Sequence, residues 1–168
     1  MPDQGNGFLV VVYPYLSASL WQIWNTPHGR AGLTEASLSI QYVAHAAKGL
    51  AHIHELGIIH DDVVMENMMM EGGTVKVANM HSAVSTIVAL NQGRNPRTSS
   101  AKPYTAMPPE KALGCNTYTI SVDSWGLGVI ALAFLTGHFP TLDVDSLGAL
   151  FDAMLRILGP ITLDEKND

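Results

Sequence analysis

Basic residues are scarce in this chain: 9 Lys and Arg stand against 15 Asp and Glu, for a formal net charge of -6. An acidic surface repels phosphate backbones, which argues against nucleic-acid binding. Cysteine is scarcer still. Cys115 is the single thiol in 168 residues, so no internal disulfide can form, and a reducing intracellular setting, cytoplasmic or nuclear, is expected. Long apolar runs are also lacking. Residues 125–135 are apolar but make up about half of the ~20 residues a membrane helix requires. Residues 8–12 follow an N-terminus without Lys or Arg and meet Pro14 soon after, which is a poor signal peptide. No membrane association is expected. No repeat or low-complexity tract interrupts the chain. With 47% apolar and only 14% charged residues, it is expected to fold around one hydrophobic core.

What is present alternates between apolar periodicity and turn chemistry. The β-branched and aromatic run at 8–13 predicts a buried strand that ends at Pro14. Residues 17–24 suit a short helix, and Asn25, Thr26, Pro27, His28 and Gly29 suit a loop. From Thr34, a plausible N-cap, the positions Val43, Ala46, Ala47, Leu50, Ile53 and Leu56 recur at helical spacing, and Gly57 stands where a left-handed C-cap belongs. Polar His60, Asp61 and Asp62 break up the next stretch. Residues 68–70 and 74–77 then read as two strands around the turn residues Gly72 and Gly73. Residues 92–103 form a loop that carries Arg94, Arg97 and Lys102. Residues 123–136 predict a helix that is apolar nearly all round, hence fully buried, stopped by Gly137 and Pro140. A last helix covers 147–158. The fold class is therefore mainly α, with a short strand and a small β-hairpin.

Four segments carry a resemblance. His60, Asp61, Asp62, Val63, Val64, Met65, Glu66 and Asn67 are similar to the catalytic loop H-R-D-L-K-P-E-N of the eukaryotic protein kinases, with the family's four residues between Asp and Asn. Ala78, Asn79, Met80 and His81 stand where strand and D-F-G belong. Met107, Pro108, Pro109 and Glu110 resemble A-P-E. Asp123, Trp125 and Gly128 resemble the D-x-W-S-x-G opening of the family's central helix. In this order, over roughly residues 8–160, the chain resembles the C-terminal lobe of a protein kinase. Residues 1–168 then form a single partial domain, from the hinge to about the helix after the central one. The glycine-rich phosphate loop, strand lysine and helix glutamate of the N-terminal lobe are not among these 168 residues.

The resemblance assigns roles and also exposes replacements. Asp62 takes the catalytic-base position, although its spacing alone would sooner describe a solvated loop carboxylate. Asn67 matches a metal-binding asparagine, an oxygen ligand suited to Mg²⁺. Asn79 replaces the metal-binding aspartate, keeping an oxygen but no charge. Val64 replaces the lysine that reaches the transferring phosphate, and Asp61 replaces an arginine that holds a phosphorylated loop, a charge reversal expected to repel phosphate and to keep Thr98, Ser99 and Ser100 from acting as a conventional activating switch. His81 replaces a glycine. Pro14 and Leu16 fall at the hinge whose backbone grips adenine, and Met69 at the apolar floor beneath the base, though methionine is also ordinary core filler. Glu110 is expected to lack the arginine that pairs with it in the family, and Asp123 is expected to be structural, accepting hydrogen bonds from the catalytic-loop backbone. His45, His52, His54 and His60 read as core or loop residues, since no H-E-x-x-H accompanies them.

Two functions follow. One is a catalytically impaired kinase-like domain, a pseudokinase, that acts through a protein partner. The other is a serine/threonine kinase that transfers the ATP γ-phosphate to a protein substrate, with this chain as part of its catalytic domain. The resemblance implies ATP and Mg²⁺ as cofactors, and the four replacements argue against their effective use.

Overall fold

The structure, a computed structural model, describes residues 12–87, 106–115, 119–139 and 144–159. Most of the strand expected at 8–13 lies outside these residues; Val12 and Tyr13 are exposed and in no strand. β1 (Ala18–Ser19) leads directly into α1 (Leu20–Trp24). Ser19 makes that junction, because its hydroxyl accepts from the Gln22 N–H while its own N–H donates to Gln22 Oε1. This reciprocal cap satisfies two donors at the helix start.

A second helix, α2 (Pro27–Leu33), occupies part of the segment expected to be a loop. Thr26 and Pro27 are helix starters as much as turn formers. Thr26 Oγ1 accepts from the Gly29 N–H at 3.0 Å, and Pro27 takes the first helical position, where no N–H is needed. Thr34 closes α2 and does not open the next helix. Glu35 caps α3 (Ala36–Glu55), accepting from the N–H groups of Ser37 and Leu38 and from the Ser37 hydroxyl. The Ser37 hydroxyl, followed by the two N–H groups, holds the Glu35 carboxyl below the usual carboxylate range. Gly57, at φ 71°, turns the chain out of α3 as expected.

Beyond α3 the strands are short. β2 (Ile58–Ile59) pairs antiparallel with β5 (Val84–Ser85). β3 (Met68–Glu71) and β4 (Thr74–Val77) form the expected hairpin, with Gly72 and Gly73 both at positive φ, the conformation whose twist matches the flanking strands. β1 adds to the free edge of β3 in the order β1-β3-β4. α4 (Pro109–Ala112), α5 (Ser121–Thr136) and α6 (Leu147–Leu158) complete the described elements. The main core joins Leu20 and Trp24 of α1, Ala46 and Leu50 of α3, Met68 and Val75 of the hairpin, and Ile130, Ala133 and Phe134 of α5. Trp24 stacks on Phe134 and takes Phe139 edge-on.

The expectation that α5 is buried all round needs correcting. Val122, Asp123, Gly126, Val129, Ile130, Ala133 and Phe134 face inward, but Ser124 and Gly128 are exposed and Leu135 is 70% exposed. That outer side borders an open apolar groove shared with Met154, Ile157 and Leu158 of α6. Apolar composition gives no periodicity from which a helix's covered side can be read. Among the described residues, no helix is long and apolar enough to cross a membrane.

Candidate functional site

Asp123 organises the loop that follows β2. It sits in the first turn of α5, fully buried, and an ionised group there needs several donors. Its Oδ2 accepts from the His60 N–H at 2.8 Å and its Oδ1 from the Asp61 N–H at 2.9 Å. His54, from the end of α3, adds its Nε2 at 2.7 Å. His60 is itself completely buried. Its Nδ1 accepts from the Asp62 N–H, so its Nε2 carries the proton and donates to the Ala78 carbonyl at 2.8 Å. Both histidines are thus structural, and the loop is fastened to α5 on one side and to the exit of β4 on the other.

Asp62 is held just beyond this anchor. Asn67, 4% exposed, directs its Nδ2 to both the carbonyl oxygen and Oδ2 of Asp62, each at 2.8 Å. The Asn67 carbonyl accepts from the Ala78 N–H, which brings Asn79 alongside. Asn79 Nδ2 donates to Asn67 Oδ1 at 2.8 Å, and Asn79 Oδ1 lies 2.7 Å from His81 Nδ1. His81 Nε2 stands 3.9 Å from Asp62 Oδ2, beyond hydrogen-bond reach. Asn79 adopts φ 64°, a left-handed conformation that asparagine tolerates better than most residues. Asp62, Asn67 and Asn79, singled out separately in the sequence, therefore form one hydrogen-bonded chain.

The adenine-site candidates lie along β3 and the segment that enters β1. Pro14 is exposed and Leu16 half-buried, on the irregular segment entering β1. Met69 is half-buried on β3 and is Ser19's partner across the β1–β3 pairing. The Ser17 hydroxyl reinforces this edge by donating to the Met70 carbonyl. Val64, at the lysine position, precedes a 3-10 turn at Met65–Asn67 and offers no charge.

Three features escaped sequence reading. Asp61, at φ 67°, forms an ion pair with Lys111 of α4, and both side chains are only 5% exposed. A carboxylate in place of the family's arginine called for a cation, and Lys111 directly follows Glu110, but nothing in the spacing joins two residues fifty apart. Glu110 receives a bond from the Ser121 hydroxyl at 3.3 Å and so has a partner other than arginine. Gly126 of α5 lies against Val63; a Cβ there would fall on the Val63 carbonyl oxygen and 2.8 Å from Val63 Cβ. Thr98, Ser99 and Ser100 lie outside the described residues.

Comparison with known proteins adds relatives to this geometry. Residues 4–163 match the protein kinase domain family. The chain is 26% identical over 163 residues to a probable inactive serine/threonine-protein kinase of Dictyostelium discoideum, a match covering 96% of this chain and 13% of that protein. It is 32% identical over 138 residues to the ribosomal protein S6 kinase-related protein of Homo sapiens, covering 82% of this chain and 31% of that one. Against the serine/threonine-protein kinase pakC of Dictyostelium discoideum it is 34% identical over 128 residues, 75% of this chain and 26% of the relative. The chain spans less than a third of the length of each of these relatives.

Proposed function

The chain belongs to the protein kinase family, and on that premise we propose that it is an intracellular kinase-like domain impaired in phosphate transfer, acting by binding a protein partner. One observation carries this reading: the position of the family's metal-binding carboxylate holds Asn79, a neutral side chain whose amide is engaged by Asn67. The replacement of the lysine by Val64 supports it, because a phosphoryl transition state is stabilised chiefly by charge. In this reading Asp62 keeps the base position, while Pro14, Leu16 and Met69 line what remains of a nucleotide edge.

A second reading is a serine/threonine kinase that transfers the ATP γ-phosphate to a protein hydroxyl. It is favoured by the orientation of Asp62, which Asn67 grips at two points. Incubation of the full chain with γ-labelled ATP, Mg²⁺ and a mixed protein substrate distinguishes them. We expect no incorporation above that of Asp62→Ala. Incorporation that Asp62→Ala abolishes would establish the second reading.

A further inference from the structure

Hydrogen-bond polarity along the chain of side chains at Asp62 can be followed from one fixed end. The Asp62 carbonyl and carboxylate oxygens only accept, so the Asn67 atom facing both must be its NH₂. That leaves Asn67 Oδ1 turned toward Asn79, where it accepts from the Asn79 NH₂ at 2.8 Å. Asn79 Oδ1 then faces His81 Nδ1 at 2.7 Å, and since an amide oxygen cannot donate, Nδ1 carries the proton. The amide oxygens of both asparagines are thus engaged by protein donors. Asp62 Oδ2 accepts from Asn67 and faces His81 Nε2.

This donor set does not fit a hard divalent cation. Mg²⁺ in such sites is usually held through one or two carboxylates, with waters and phosphate oxygens completing its shell. Here each candidate oxygen is neutral and already directs one of its two lone pairs to a protein donor, and the nearby carboxylate is partnered. Among the described residues, no group of three or more His, Cys, Asp or Glu side chains is placed to hold a metal. An ionised aspartate at position 79 could not donate to Asn67 Oδ1; only the amide completes the chain of hydrogen bonds.

We propose that Asn79 takes the place of a divalent cation: held by His81, it holds Asn67, which in turn holds Asp62, all through side-chain hydrogen bonds, and the site neither needs nor binds such an ion. Asn79 is a positioning residue, acting on Asp62 through Asn67. The consequence is specific for ligands as well. Any polyphosphate entering this site does so without a cation held by Asn67 and Asn79. This goes beyond the functional reading above and does not depend on it.

The test follows side-chain signals of the full 168-residue chain by NMR during titration with MgCl₂ and, separately, with paramagnetic Mn²⁺. We expect the Asn67 and Asn79 amide signals neither to shift with Mg²⁺ nor to show the site-centred broadening a bound Mn²⁺ causes. In Asn79→Asp, which frees Asn67 Oδ1 and adds a charge, Mn²⁺ broadening should centre on Asn67, with affinity about tenfold or more above wild type. Selective broadening of Asn67 and Asn79 in the wild type would overturn the proposal, and so would an Asn79→Asp variant that binds Mn²⁺ no better. A measurement independent of any variant is the ¹⁵N shift of the His81 ring. Protonation at Nδ1 agrees with this chain of hydrogen bonds, and an unprotonated Nδ1 refutes it. Because the readout is cation binding, its outcome is separable from that of the phosphate-transfer assay.

Discussion

Asp123 accepts two backbone N–H groups and an imidazole at a point fully withdrawn from water. Truncating it removes the acceptor and leaves the N–H groups of His60 and Asp61 without a partner in the interior. Hydrogen bonds to a charged group contribute roughly 1.5–3 kcal/mol, and stranded buried donors add to the loss. We expect Asp123→Ala to lower the urea unfolding midpoint clearly. Asp123→Asn should do so as well, because one oxygen becomes an NH₂ directed at a donor. An unchanged midpoint in both variants would show that the loop is held elsewhere. The role of Asp123 could be expected from its motif, since a carboxylate opening an apolar helix needs donors. The contribution of His54 to the same oxygen depends on where α3 ends relative to α5, which no local pattern states.

Between elements, a buried ion pair joins the Asp61 loop to α4. Both side chains are 5% exposed, so water does little to screen them. Removing one member of a buried pair leaves the other charged in a poor solvent, at a cost of about 3–5 kcal/mol. Lys111→Met should therefore destabilise the protein by an amount in that range, measured by denaturant unfolding. Asp61→Asn combined with Lys111→Met should recover part of the loss, since asparagine keeps the left-handed backbone without the charge. Additive losses would show that the two residues are uncoupled. Sequence reasoning recognised the charge reversal at Asp61 as hostile to phosphate but did not find its cation. An ion pair fifty residues apart is visible only once the chain has returned on itself. Shorter-range elements were easier: the hairpin register follows from Gly72 and Gly73, and the run of α3 from its apolar spacing. The loop expected at residues 25–29 failed because Thr and Pro serve both turns and helix starts.

For the molecule as a whole, the functional question is whether the replaced charges alone silence transfer. Joining a kinase N-terminal lobe to this chain supplies the phosphate-cradling half of a domain but leaves Asn79 and Val64 in place. We expect that fusion to stay inactive in a phosphate-transfer assay until Asn79→Asp and Val64→Lys are both introduced. Each lost electrostatic element of this sort typically costs about 10²–10³ in rate. Robust turnover by the unreverted fusion, abolished by Asp62→Ala, would show that the replaced charges do not silence transfer. Family and mainly helical class were legible in the sequence because motif order, glycine placement and apolar spacing are local and survive replacement of the chemical groups. The covered side of α5, the pairing of Asp61 with Lys111 and the hydrogen bonds from Asp62 through Asn67 and Asn79 to His81 were not. Burial and hydrogen-bond direction depend on which segments meet in space, and an asparagine has the same letter whether its oxygen faces a cation or another amide.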